Sequence, residues 1–407
     1  MIVSDSAFLC GYFSASGAPA NDLGWSQIKR TPEEEDLLRN FFFPEFVDFN
    51  TKHVQRYELA IDQKVRIKLR SGKELPFEAK RAILWMMPFS LAIFAIETSF
   101  VEQDIDDVTE SLATLRNCER YGESLADFVA SAISPIDKTY RAFKNEAPSA
   151  TDNYSHLVEN GNKFKIFQII TSADCPEDSA QRDRLLYCAG TWSKYEHEEP
   201  FSVDARYYEK VLKDFRLGVF SSWTALTLFD TVTFLTKDIS DGIRITWVES
   251  YFGMIYIYEL YKKCFLYKQN LLFRTEAKDP VILQKEIKDF ERKYSFTSIS
   301  YNFLPIEVDL SMASGLDSKS EEEALRELIA EEVAAREEES SSKRDKFLLF
   351  LTCLASFSAV WDISCLLDEL INYERAFSAP NWGYRLFSAL LLLLIAMFAM
   401  GLRKKRQ

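Results

Sequence analysis

Residues 347–367 read FLLFLTCLASFSAVWDISCLL, and residues 386–402 form a second apolar stretch with no charged side chain. A helix rises 1.5 Å per residue, so a bilayer core about 30 Å thick needs about 20 helical residues to cross it. Both segments come close to that length, and neither has the wide polar face of a helix at the surface of a soluble core. The two segments therefore predict a C-terminal hairpin that spans a lipid bilayer.

Basic residues on both sides of this hairpin predict its orientation. Lys343, Arg344 and Lys346 precede the first segment, and the tail at 403–407 begins with RKKR. Basic flanks remain on the cytoplasmic side of a membrane. We therefore expect a two-span protein of the inner membrane, with both termini cytoplasmic and residues 368–385 as an extracytoplasmic loop.

Composition limits the classes of function that are open to the chain. A formal charge of −13 over 407 residues argues against nucleic acid as a partner. The seven cysteines are scattered and include no C-x-x-C pair, which predicts reduced thiols. His53, His156 and His197 lack metal-ligand spacing, and no glycine-rich phosphate motif occurs. We therefore predict that the protein is not an enzyme and has no resident cofactor.

Residues 1–310 open with a weakly patterned region and then alternate between the periodicities of strands and helices. Apolar residues at every second position or in short runs predict strands, with candidates at 57–69, 82–87, 91–100, 164–170 and 231–234. Helical spacing gives candidates at 104–117, 205–215, 247–272 and 281–294. Pro305 predicts a break after the last of these. The alternation predicts an α/β cytosolic domain.

Residues 311–346 form a charged stalk between this domain and the first apolar segment. From residue 318 onward the stalk lacks Gly and Pro and is rich in helix-forming Glu, Ala, Leu and Arg. Two interpretations remain open: a solvated helix face, or a stalk that meets copies of itself and senses cations. The candidate sensors are Glu327, Glu331 and Glu332. The three serines at 340–342 predict a soft joint below the membrane.

One face of the first apolar segment is small or polar. Steps of four and three residues select that face: Leu348, Thr352, Ala355, Ala359, Asp362, Leu366 and Glu369. Small residues let helices approach closely, and polar residues in a membrane face a bundle interior or water. A ring of these helices would line a pore in which Asp362 and Glu369 bind cations and Thr352 adds a hydroxyl ligand.

Such a pore requires a cyclic homo-oligomer, because two spans cannot enclose a channel. Asp362 also has a second interpretation. It lies about 22 Å along the helix from residue 347 and could therefore reach the lipid headgroups.

The order of these segments, together with the run YSFTSISYNFL at 294–304, resembles the CorA family of divalent-cation channels. The resemblance implies a pentameric funnel whose cytosolic domain gates the pore, with a divalent cation such as magnesium as the transported or regulatory ion. The Gly-Met-Asn signature of that family is missing after the first segment, where residues 368–373 read DELINY, and Gly253-Met254 continues into Ile255. The outer-loop residues that could replace the signature are Asp368, Asn372, Glu374 and Asn381.

Two other functions remain open. Divergent CorA-like proteins resemble membrane effectors of bacterial antiviral, CRISPR-type systems, in which a nucleotide messenger binds the cytosolic body and opens the membrane. That function predicts a basic, aromatic pocket in the body. The other possibility is a signalling or scaffold protein that its hairpin merely anchors in the membrane. The polar face of the first segment would then have no role in transport.

Overall fold

The computed structural model describes residues 1–20, 23–117, 121, 125–146, 154–158, 163–195, 203–238 and 240–374, without the side chains of 241, 245 and 367–374. These residues fall into two units, Met1–Glu327 and Leu328–Gln407. The predicted second span at 386–402, the tail at 403–407 and Asn381 lie outside the described residues.

A mixed sheet forms the centre of the first unit. Its described strands are β1 (Ile2–Ser14), β2 (Ser26–Ile28), β3 (Gln55–Lys68), β4 (Glu74–Met87), β5 (Leu91–Asp104), β6 (Lys165–Thr171), β7 (Arg216–Phe220), β8 (Trp223–Thr227) and β9 (Thr231–Thr236). Their order across the sheet is β2-β3-β4-β5-β1-β6-β9-β8-β7. β6 and β9 are parallel, and the other described neighbours are antiparallel. All five predicted strands are confirmed.

The described helices are α1 (Pro32–Arg39), α2 (Pro44–Asp48), α3 (Ile105–Leu115), α4 (Ala126–Phe128), α5 (Ser134–Lys144), α6 (Ser179–Thr191), α7 (Ala205–Phe215), α8 (Asp241–Thr246), α9 (Ile257–Arg274), α10 (Pro280–Tyr294), α11 (Phe303–Leu316) and α12 (Ser318–Glu374). The four predicted helices are confirmed. The one predicted at 247–272 begins with a π-helical segment, Trp247–Tyr256, that joins α8 to α9. Strands covered by helices make this unit a mixed α/β domain. We call the unit Met1–Glu327 the body.

The N-terminal region, which the sequence presents as weakly patterned, forms the central strand β1. Ala7, Leu9 and Phe13 belong to the core on one face of the sheet. On the other face, Phe8 stacks on Phe252 of the π-helical segment, with ring centroids 4.1 Å apart. A strand that is buried on both faces shows no alternation of polar and apolar residues, so it lacks the periodic signal that predicts a strand.

The predicted break after 281–294 is confirmed, because α10 ends at Tyr294 and α11 begins at Phe303. Pro305 occupies the first turn of α11, where the missing N–H costs no helical hydrogen bond. Near the end of α11, Gly315 lies against β8, and a Cβ at this position would come within 2.6 Å of the carbonyl oxygen of Thr227. Only glycine therefore lets α11 pack this closely on the sheet. The predicted domain boundary at 310/311 lies within α11.

Helix α12 runs without interruption from Ser318 to Glu374. It passes through the serines at 340–342, which are helical where the sequence predicts a soft joint. It also continues beyond residue 367, so the first part of the predicted loop at 368–385 is helical. Its described part, Ser318–Leu366, is long and apolar enough to cross a membrane, and the apolar stretch is almost entirely exposed. Among the described residues it is the one helix with these properties.

Candidate functional site

The predicted pore-lining residues all lie on α12. At 100° per residue, six of them with described side chains share one face of the helix: Leu348, Thr352, Ala355, Ala359, Asp362 and Leu366. All six are exposed. The Thr352 hydroxyl donates a hydrogen bond to the carbonyl oxygen of Leu348 at 2.8 Å, which leaves the lone pairs of the hydroxyl oxygen available to a cation. Glu369 is helical, and its side chain lies outside the described residues.

The opposite face of this part of α12 is bulky. Phe350, Leu354, Phe357 and Trp361 lie there and are exposed, and the rings of Phe357 and Trp361 stack with centroids 6.4 Å apart. Large apolar side chains are typical of a surface that faces lipid tails, whereas small residues are typical of helix contacts. The helix therefore has the two unlike faces that a pore-lining span requires.

Three of the four outer-loop candidates are helical, whereas the sequence predicts that they lie in a loop. Asp368, Asn372 and Glu374 lie in the last turns of α12. The backbone carbonyl of Asp368 is used by the helical hydrogen bonds of α12, whereas the last four carbonyls of a helix, which here include those of Asn372 and Glu374, have no partner within the helix.

The three stalk candidates form no preformed cation site. Glu327 and Glu331 are exposed, and Glu332 accepts a hydrogen bond of 2.9 Å from Nε of Arg336. Among the described residues, no group of three or more His, Cys, Asp and Glu side chains could hold a metal ion. A cation sensor on the stalk would therefore need carboxylates from more than one chain.

A basic groove of about 400 Å³, which the sequence analysis did not find, opens beside β2 and the start of β3. Four cationic side chains line it: Lys29, Arg30, Lys52 and Arg56. Glu35 is the acidic residue of the lining, and Trp85 contributes an aromatic ring. These residues come from three separate segments, so no local motif in the sequence could have revealed the groove.

Positive charge in the basic groove is only partly compensated. Burial lowers the pKa of Arg30, and the charge of Arg56 lowers this pKa further. Arg30 donates a hydrogen bond of 3.2 Å to the carbonyl oxygen of Glu249, while Lys52 pairs with Asp48 at 2.8 Å. Lys29 is exposed and has no ion-pair partner within the described part of the chain. The groove therefore favours an anionic ligand.

An arginine–glutamate network lies next to the groove and ties the π-helical segment to the sheet. Glu249 of that segment accepts two hydrogen bonds from Arg56, at 2.5 and 3.2 Å, and lies 3.6 Å from the Arg81 guanidinium. Arg81 also binds Glu97 at 2.6 Å and Glu58 at 3.0 Å. Burial alone would raise the pKa of Glu249, but the hydrogen bonds and charges of the arginines outweigh burial and lower it.

The first turns of α12 are held against α9 and α10. Ser318 donates a hydrogen bond to Oε2 of Glu259 on α9 at 3.3 Å, and Glu321 forms an ion pair with Lys263 of α9. Arg326 binds Glu291 of α10. The π-helical segment continues into α9, so the chain connects the network beside the basic groove with the base of α12.

Six of the seven cysteines and two of the three histidines lie in the described part of the chain. Cys10, Cys175, Cys188 and Cys264 are buried and free, and Cys353 and Cys365 are also free, in agreement with the predicted thiols. His156 binds Asp137 at 2.5 Å, and the ring of His53 packs on Tyr294. His197 lies outside the described residues.

No protein-family model matches the chain, and no curated protein sequence matches it significantly. The assignment of a function therefore rests on the geometry described above.

Proposed function

We propose that the protein is a CorA-like, homo-oligomeric channel for metal cations that is gated by its cytosolic α/β body. The observation that carries this proposal is the uninterrupted helix α12, which begins in the body at Ser318 and continues into a stretch apolar enough to cross a membrane. In this proposal, a movement of the cytosolic unit reaches the membrane-spanning stretch through α12.

In the proposed channel, the small and polar face of α12 lines the pore and the bulky face contacts lipid. Asp362 forms an acidic ring that concentrates cations, and Glu369 extends it toward the outer mouth. We propose a pentamer in the inner membrane, with two spans per chain and both termini cytoplasmic. Magnesium or another divalent cation is the proposed ion, because carboxylate and hydroxyl oxygens are the ligands that such hard cations prefer.

The second candidate is a membrane effector of a bacterial antiviral system of the CRISPR type, opened by a nucleotide messenger. The basic groove favours it, because its volume of about 400 Å³ and its four cationic side chains suit a phosphate-bearing ligand of nucleotide size. Such a ligand would compete with Glu249 for Arg56 and thereby act on the π-helical segment that leads to α9.

Ion flux into liposomes that carry the purified protein separates these functions. Magnesium, cobalt and potassium are compared, each with and without a panel of nucleotides. Flux without nucleotide that favours divalent ions supports the metal-ion channel. Flux that appears only with a nucleotide favours the messenger-gated effector, and the absence of flux under every condition contradicts both.

The charge-reversal variant Lys29→Glu tests whether the basic groove is the nucleotide site. If a nucleotide opens the channel, this variant is expected to raise the concentration needed for half-maximal flux by about tenfold, because one attraction to phosphate becomes a repulsion. Lys64→Glu is the matched control, since it reverses an exposed charge on β3 outside the groove. Equal responses of the two variants would place the nucleotide elsewhere.

A further inference from the structure

Helix α10 has a buried apolar side and an exposed basic face. Leu283, Ile287 and Phe290 are buried, and at 100° per residue they lie on the other side of the helix from Lys285 and Lys288. Both lysines are exposed, and neither forms an ion pair within the described part of the chain. We call Lys285 and Lys288 the basic face of α10.

The acids near the basic face are engaged elsewhere or lie outside α10. Each acid of α10 pairs with a cation, and the pairs are Lys278–Glu286, Arg292–Asp289 and Arg326–Glu291. Asp279 caps the helix by accepting a hydrogen bond of 2.8 Å from the N–H of Val281, and Glu276 is an exposed acid of the preceding turn. In a chain with a formal charge of −13, the basic face is therefore a local positive surface that attracts an anionic one.

Exposed apolar side chains adjoin the basic face at the turn 275–279, which joins α9 to α10. Leu271 in the last turn of α9 is 45% exposed, and Val281 and Ile282 in the first turn of α10 are 54% and 49% exposed. At 100° per residue, Val281 lies on the basic face itself. Large apolar side chains next to unpaired lysines are typical of a surface that lies in the headgroup region of an anionic membrane.

The turn 275–279 lies at the end of α9 toward which α12 runs. Ser318 at the start of α12 donates a hydrogen bond to Glu259 of α9. Three residues later, Glu321 pairs with Lys263, which lies four residues further along α9. The two helices therefore run in the same direction through the body. The turn and its apolar side chains are thus displaced along α9 in the direction in which α12 proceeds.

We propose that the basic face of α10 and the apolar side chains of the adjoining turn bind anionic phospholipids at the surface of the membrane that α12 crosses. The two lysines pair with lipid phosphate groups, and Leu271, Val281 and Ile282 enter the headgroup region. This contact rests on the membrane span of the proposed function, but it requires neither a pore nor a particular ion. It fastens to the bilayer the two helices, α9 and α10, that hold the first turns of α12.

Acetylation of lysines in the unmodified, full-length protein tests this contact. The protein is placed in nanodiscs of phosphatidylcholine alone or of phosphatidylcholine mixed with phosphatidylglycerol, treated with a water-soluble N-hydroxysuccinimide ester and analysed by mass spectrometry. We expect phosphatidylglycerol to slow the acetylation of Lys285 and Lys288 by about tenfold, because lipid phosphate shields their amino groups. Lys210 and Lys213 of α7 are exposed and have the same spacing, so they are the matched internal control and should react equally in both discs.

The double variant Lys285→Glu/Lys288→Glu provides a second test, in which hydrogen exchange of the backbone is measured. In the unmodified protein, we expect residues 275–283 to exchange about fivefold more slowly in the mixed discs than in phosphatidylcholine discs. The variant should lose this difference, whereas the control variant Lys210→Glu/Lys213→Glu should keep it. Unchanged exchange in α9 shows that each variant is folded.

Two results would overturn the proposed lipid contact without touching the proposed channel. The first is an equal response of the α10 and α7 lysines to phosphatidylglycerol. The second is protection of the α10 lysines by glycerol phosphate in discs of phosphatidylcholine alone, because a soluble anion would then be sufficient. A protein that does not enter the discs at all would contradict the proposed membrane span, and the lipid contact with it.

Discussion

Replacing Asp362 by alanine is expected to reduce cation flux through the reconstituted protein by about tenfold, with the oligomer still assembled. In a cyclic assembly the single substitution removes a whole ring of negative charges from the pore-lining face. Cations are then less concentrated at that level, and selection against anions weakens. The substitution introduces a small side chain that helix packing tolerates, so assembly should persist. Flux into liposomes and the size of the detergent-solubilised oligomer measure the two effects.

Glu339→Ala is the control for this prediction. Glu339 lies on the same helix before the apolar stretch, on the side opposite Leu348 at 100° per residue, and it is likewise exposed. We expect this variant to retain its flux. If Asp362→Ala leaves both flux and ion preference unchanged, Asp362 lies outside the pore.

Replacing Glu249 by glutamine is expected to lower the free energy of unfolding of the body by about 2–3 kcal/mol, a value reduced for the partial exposure of this side chain. The substitution leaves Arg56 and Arg81 beside each other without the carboxylate between them. The pKa of Glu249 is lowered in the folded protein, so its stabilisation exists above its ordinary acidic pKa and is lost as the pH falls below it.

Denaturant unfolding of the full-length protein in detergent, followed at neutral and acidic pH, measures this loss. Glu209→Gln is the matched control, since Glu209 is an exposed acid on α7. The difference between the two variants should shrink as the pH falls, because protonation removes the carboxylate charge in any case. A Glu249→Gln variant as stable as the control at neutral pH would show that the network does not hold the π-helical segment in place.

Periodic patterns in the sequence predicted a large part of the fold. The alternation at 57–69 and the helical spacing at 205–215 correspond to β3 and α7, because each of these elements buries one face and exposes the other. The apolar stretch at 347–367 likewise stands out by length and composition alone. By contrast, β1 is buried on both faces and lacks this contrast.

Features that depend on tertiary contacts could not be predicted. Gly315 lets α11 pack closely on Thr227 of β8, and no local pattern in the sequence indicates that contact. Lys29, Lys52 and Trp85 meet in the basic groove only because the sheet brings their segments together.

Cysteine accessibility along α12 tests the central claim, that one face of this helix lines a cation path, most directly. With all seven native cysteines replaced by serine, Ala355→Cys and Phe357→Cys place single thiols on the predicted pore and lipid faces. A water-soluble, membrane-impermeant thiol reagent should block flux through Ala355→Cys and leave Phe357→Cys unaffected. Equal block of both variants, or block of Phe357→Cys alone, would contradict the claim.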